Sequence, residues 1–124
     1  MEVIMKSLPQ PVPQVSREEV VRGLKREFPG ESIEVLMTEL DEYGIPGNPG
    51  RERVQLDVLK LARGNREKFR EMIQEAKEDV REVIAAAEYR EYMKLSPTDA
   101  LVIEAANRAV EADWREYQEW LQRK

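Results

Sequence analysis

Apolar residues recur every three or four positions along two long stretches of this chain, and that spacing fits the helix and no other regular structure. Phe69, Met72, Ile73, Ala76, Val80, Val83, Ile84 and Ala87 fall in one stripe at about 100° per residue. Ile103, Ala106, Val110, Trp114, Tyr117 and Leu121 form a second. Opposite that second stripe, Glu104, Arg108, Glu111, Arg115, Glu119 and Arg123 alternate in sign, as a solvated helix face does.

Start and stop signals divide the rest of the chain. Ser16-Arg17-Glu18-Glu19 is a capping box opening a helix with Val20, Val21, Leu24 and Phe28 on one side, and Pro29-Gly30 closes it. A second helix from about Ser32 carries Ile33, Leu36, Met37, Leu40 and Tyr43 at helical spacing; Gly44 stands where a left-handed cap belongs, with Ile45 expected to fold back on Leu40. After the breaker-rich loop 44–50, a third helix near Arg51 to Arg63 is apolar on more than one face, which predicts the deepest burial. Gly64 ends it and Asn65 caps the next. The stripe that follows loses phase after Ala87, where continued helix would turn Glu91 to the core, so the helix is expected to end or kink near Glu88. Ser96-Pro97-Thr98-Asp99 opens the last helix, read as running nearly to Lys124. The expectation is an all-α single-domain bundle of about five helices over 16–124, preceded by an extended arm, 1–15, in which Pro9, Pro11 and Pro13 exclude helix.

What the chain lacks limits its chemistry. It has no histidine, so acid–base work at neutral pH would need a carboxyl, lysine or tyrosine displaced far from its usual pKa. Cysteine is absent too, which removes thiolate chemistry and, with histidine gone, the usual zinc and haem ligands. No cofactor or metal is expected, and no catalytic residue is assigned. Phosphate-binding glycine motifs and nucleophile elbows are missing. Glutamates crowd the fourth helix, yet lysine and arginine interleave them as on a solvated face.

Charge argues against nucleic acid as a partner. The net charge is -5, and segments 1–50, 51–95 and 96–124 carry 5 and 9, 11 and 10, and 4 and 6 basic and acidic groups, so no third is strongly basic. Lys60, Arg63, Arg66, Lys68 and Arg70 gather around one turn, but the helix that follows is acidic. No apolar run approaches the roughly 20 residues of a membrane span. The expected location is the cytoplasm.

The runs Leu40-Asp41-Glu42-Tyr43-Gly44, Arg53-Val54-Gln55-Leu56, Leu59-Lys60-Leu61-Ala62, Ala87-Glu88-Tyr89 and Tyr117-Gln118-Glu119-Trp120-Leu121 cover about the last two-thirds of the chain. Their pattern resembles a family of small bacterial helical proteins of unknown function. In that family a proline tends to follow Ala-Glu-Tyr, where this chain has Arg90, which implies a helix end there. The resemblance implies an all-helical fold and no mechanism.

The leading expectation is therefore a non-catalytic protein–protein interaction or self-associating module, possessing a protein partner or forming a homo-oligomer. Its candidate contact is a strip on the flank of the last helix: Val102, Ala109, Asp113 and Trp120. The alternative is a small-molecule binder or enzyme built on buried carboxylates, with Asp57, Glu88, Tyr89 and Asp113 as its candidate groups.

Overall fold

A computed structural model describes residues 15–48 and 50–123. The expected arm thus lies outside the described residues except for Val15. Within them the protein is all-helical, with eight helices where about five were expected. One surplus helix arises from a break inside a continuous apolar stripe, at Asp79; the others come from the extra turn after Glu88 and from the break at Val102. The described residues divide into two compact units, 15–87 and 88–123.

The first unit begins with α1 (Arg17–Glu27) and α2 (Ile33–Leu40). Their serine caps work as the sequence demands: Ser16 Oγ accepts from the Glu19 amide and Ser32 Oγ from that of Val35. Gly44 takes φ +86°, the left-handed conformation expected of it, but Ile45 is exposed rather than folded onto Leu40. The turn after α2 is held by polar groups instead, so no apolar staple is required there.

Helix α3 (Arg51–Ala62) is the most buried element of this unit, with Val54, Leu56, Val58 and Leu59 in its core. Gly23 brings α1 close against it: a Cβ there would stand 3.3 Å from Leu59 Cδ1. A tight turn through Arg63 and Gly64, both with positive φ, leads to α4 (Arg66–Glu78), capped by Asn65 Oδ1 on the Lys68 amide at 2.9 Å. Phe69 meets Phe28 edge-on at 5.3 Å between ring centroids, tying α4 to the end of α1.

The stripe read as one helix from Phe69 to Ala87 is broken at Asp79. This single extended residue (φ -152°, ψ 90°) separates α4 from α5 (Val80–Glu88). Its carboxylate accepts from the Arg81 amide at 3.2 Å, so it caps α5. Val80 and Ile84 line a cleft with Val54, whereas Val83 and Ala86 line another with Leu61 and Ala62, so α5 returns alongside α3.

The second unit holds α6 (Arg90–Met93), α7 (Pro97–Ala100) and α8 (Ile103–Leu121). Helix α5 stops at Glu88, where the apolar phase runs out, and one further turn of helix, α6, follows rather than a loop. Ser96 Oγ caps α7 on the Asp99 amide at 3.1 Å. The expected continuous last helix breaks at Val102, which is extended (ψ 112°). Two adjacent β-branched residues, Val102 and Ile103, weaken helix propensity there, and neither finds a core that would restore it.

Candidate functional site

The side chains that α8 buries are Ala106, Ala109, Val110, Asp113, Tyr117 and Trp120. At 100° per residue they fill an arc of about 100° centred near Asp113. The expected stripe was centred on Val110, so the true buried face is rotated toward the flank chosen as an interface. Trp120 is 5% exposed and packs 6.0 Å, centroid to centroid, from Tyr117. Ile103 and Trp114, placed in the core by the stripe, are exposed and half-buried respectively.

The cause is Asp113. Helix α6 starts at Tyr89 with no capping side chain of its own. Asp113 supplies the cap from the facing helix, accepting from the amides of Glu91 at 2.7 Å and Tyr92 at 3.0 Å. Burial lifts its carboxyl above the ordinary range; the two amide bonds pull it back in part, and neighbouring Glu91 and Glu116 push it up again. The carboxylate therefore performs a structural task, and three of the four proposed contact residues, Ala109, Asp113 and Trp120, are buried within the chain.

Val102 is the exception. It is 48% exposed and sits between Leu101 (64%) and Ile103 (43%), three consecutive large apolar residues open to solvent at the break before α8. Asp99 and Glu104 flank them, and Arg108 follows one turn after Glu104; all three are exposed.

Asp57 is fully buried on α3, and its charge joins burial of the phenol in pushing Tyr43 upward. Glu88 is buried at the end of α5, and Tyr89 stacks edge-on against Tyr92 at 6.3 Å. None of Asp57, Glu88, Tyr89 or Asp113 lines the three clefts described for the molecule. Among the described residues no group of three acidic side chains is placed to hold a metal ion.

A polar cluster that the sequence reading overlooked closes the end of α2. Buried Gln55 donates to the Leu40 carbonyl at 3.2 Å and to Asp41 Oδ1 at 3.1 Å, while buried Arg51 donates to the carbonyls of Tyr43 and Asp41. Arg17 completes it with two bonds to the Asp41 carboxylate, and that hydrogen bonding, with help from Gln55 and Arg51, holds the carboxyl below its usual range. A glutamine between Val54 and Leu56, on the helix expected to be most buried, is the signal that could have revealed it.

A cleft of about 840 Å³, open to solvent, lies between α4 and α5 at the end of α3. Leu61, Ala62, Met72 and Val83 supply apolar wall; Arg63 and Lys68 stand toward the α3–α4 turn, Glu75 and Glu82 toward the Asp79 reversal. Elsewhere in the basic cluster, Arg66 is paired with Glu31 and Glu39, and Arg70 with Glu39 at 3.3 Å. No helix among the described residues is long and apolar enough to cross a membrane. No family model, curated protein or solved structure matches the chain.

Proposed function

We propose that this protein is a non-catalytic interaction module that self-associates through the apolar run Leu101–Val102–Ile103. The exposure of all three residues carries the reading, because adjacent large apolar side chains left in water favour burial against another surface. The Trp120 anchor is replaced by this run. The catalytic alternative has less support, since its carboxylates line none of the three clefts described above and Asp113 is committed to capping α6. Nucleic acid and membrane stay outside the proposal: the pairing of Arg66 and Arg70 with acids supports the first exclusion, and the second rests on the absence of a spanning helix among the described residues. A cytoplasmic setting is part of the same proposal.

Sedimentation of the full chain tests it. Wild type should associate in the micromolar range, and Val102→Asp should abolish that association while leaving the far-ultraviolet circular dichroism unchanged. Trp120→Ala should lower stability through loss of a packed aromatic. A wild type that stays monomeric at 100-fold higher concentration would end the proposal.

A further inference from the structure

The cleft between α4 and α5 has a polarity. Lys68, Met72 and Glu75 follow one another at i, i+4 and i+7, so a base, an apolar side chain and an acid succeed one another along one face of α4 within about 10 Å. Arg63 reinforces the basic end and Glu82 the acidic one. Arg63, Glu75 and Glu82 form no side-chain hydrogen bond or ion pair among the described residues, and Lys68 has only a 3.9 Å contact with Glu71. The complementary occupant presents an acid, an apolar group and a base in turn.

Glu2-Val3-Ile4-Met5-Lys6, in the arm outside the described residues, carries that order. It is the one place in the chain where three consecutive apolar residues separate an acid from the base that follows. Alternate side chains of an extended segment share a side, so Glu2, Ile4 and Lys6 would face one way, spanning about 13 Å from first to last. The two charges then fit the two ends of the cleft, and Ile4 falls at Met72.

The position of the cleft decides which copy supplies the segment. Arg17 and Arg51 meet at Asp41, whereas a Cβ on Gly64 would stand 3.1 Å from the Glu27 carbonyl oxygen. The cleft, beside Gly64, therefore lies at the end of α1 remote from Ser16. To enter its own cleft the arm would have to turn back at Ser16 and run the length of α1, about 16 Å. Pro9, Pro11 and Pro13 oppose that reversal, because they stiffen the arm as an extended spacer. We infer that the cleft receives residues 2–6 of a second copy of this chain, with Glu2 against Arg63 and Lys68, Ile4 against Met72, and Lys6 against Glu75 and Glu82. The tether at Ser16 and the cleft belong to one unit, 15–87, so the contact is an exchange of arms between two copies of that unit. This rests on the self-association proposed above and adds a second contact to it.

Sedimentation velocity of the full chain tests the exchange with two charge reversals. Glu2→Lys changes the arm alone, and Lys68→Glu changes an exposed position of α4. Each should weaken association about ten-fold, since every dimer trades two attractive contacts for repulsive ones. An equimolar mixture of the two variants should associate as tightly as wild type: the reversed arm of one suits the reversed cleft of the other, and the two unaltered surfaces also suit each other. The double variant should recover by itself. Recovery on mixing arises only between chains, so variants that stay weak when mixed would overturn the exchange and indicate an arm bound to its own cleft. Association that survives both reversals yet is lost in Val102→Asp overturns the arm contact and leaves the 101–103 contact standing. A monomeric wild type overturns both.

Discussion

Asp113 Oδ1 lies 2.7 Å from the main-chain nitrogen of Glu91, so a carboxylate near the middle of α8 serves as the cap of a helix that begins 23 residues earlier, at Arg90. A one-turn helix has too few internal bonds to persist alone. Its free amides find their acceptor on a neighbouring element, and burial of that acceptor excludes competing water. The same contact fixes the rotation of α8, and hence which of its apolar residues remain outside.

Asp113→Ala should therefore cost about 2 kcal/mol, the upper range for loss of a helix cap, because two amides lose their acceptor together. Urea unfolding measures the cost. Hydrogen exchange at the Glu91 and Tyr92 amides should accelerate beyond what the global destabilisation explains.

Opposite pH responses should come from Asp113 and Asp41. The folded unit raises the Asp113 pKa, so its contribution to stability is present below the unfolded carboxyl value and disappears as pH climbs through the raised folded value. Asp41 is lowered, chiefly by Arg17, so its contribution is present above the unfolded value and is lost as pH falls through the depressed folded one. Unfolding free energies measured from acid to neutral pH should show the gap between wild type and Asp113→Asn narrowing with rising pH. The gap for Asp41→Asn should widen.

Arg17 and Arg51 reach the same carboxylate from different environments. Arg17 is 45% exposed, and its loss as Arg17→Ala should cost no more than about 1 kcal/mol. Arg51 is buried and also serves two carbonyls beyond α2, so Arg51→Ala should cost about 2–3 kcal/mol. Chemical denaturation of the two variants gives the order directly.

Gly44→Ala should destabilise the first unit by about 1–3 kcal/mol, the scale of a strained left-handed residue. The added Cβ would stand 2.7 Å from Arg51 Cγ, so the substitution also displaces the arginine that closes α2. A double-variant cycle with Arg51→Ala should show the two costs to be coupled.

Labelled duplex DNA should bind no tighter than micromolar at about 0.15 M salt, as few phosphates can be neutralised by a cluster in which Arg66 and Arg70 already hold Glu31 and Glu39. Fluorescence anisotropy is sufficient. Sub-micromolar affinity that falls steeply with salt would overturn the expectation.

The helical class and the helix starts at Ser16, Ser32, Asn65 and Ser96 were legible because each rests on local chemistry, a side-chain oxygen and the amide three residues on. The break at Glu88 was legible from phase. The break at Asp79 was missed although Asp79-Val80-Arg81-Glu82 has the spacing of a capping box, since a stripe continuous in phase masked it. The burial of Trp120 was harder to read. It depends on Asp113 occupying the centre of a buried face, and a carboxylate earns that position only from amides 21 and 22 residues away in sequence. Patterns along a chain register local bonds well; they are blind to a partner on another element.

The reversal at Asp79 makes chain length a specified quantity. With one residue between α4 and α5 there is no slack to absorb an insertion. A single added residue would turn α5 by about 100° about its axis, swinging Val83 and Ala87 out of the buried positions they hold. The loop 44–50 has several residues over which to distribute the same change. At Asp79 the count of residues, as much as their identity, is under constraint, and length variation among natural or engineered versions of this chain should fall in that loop and spare the reversal.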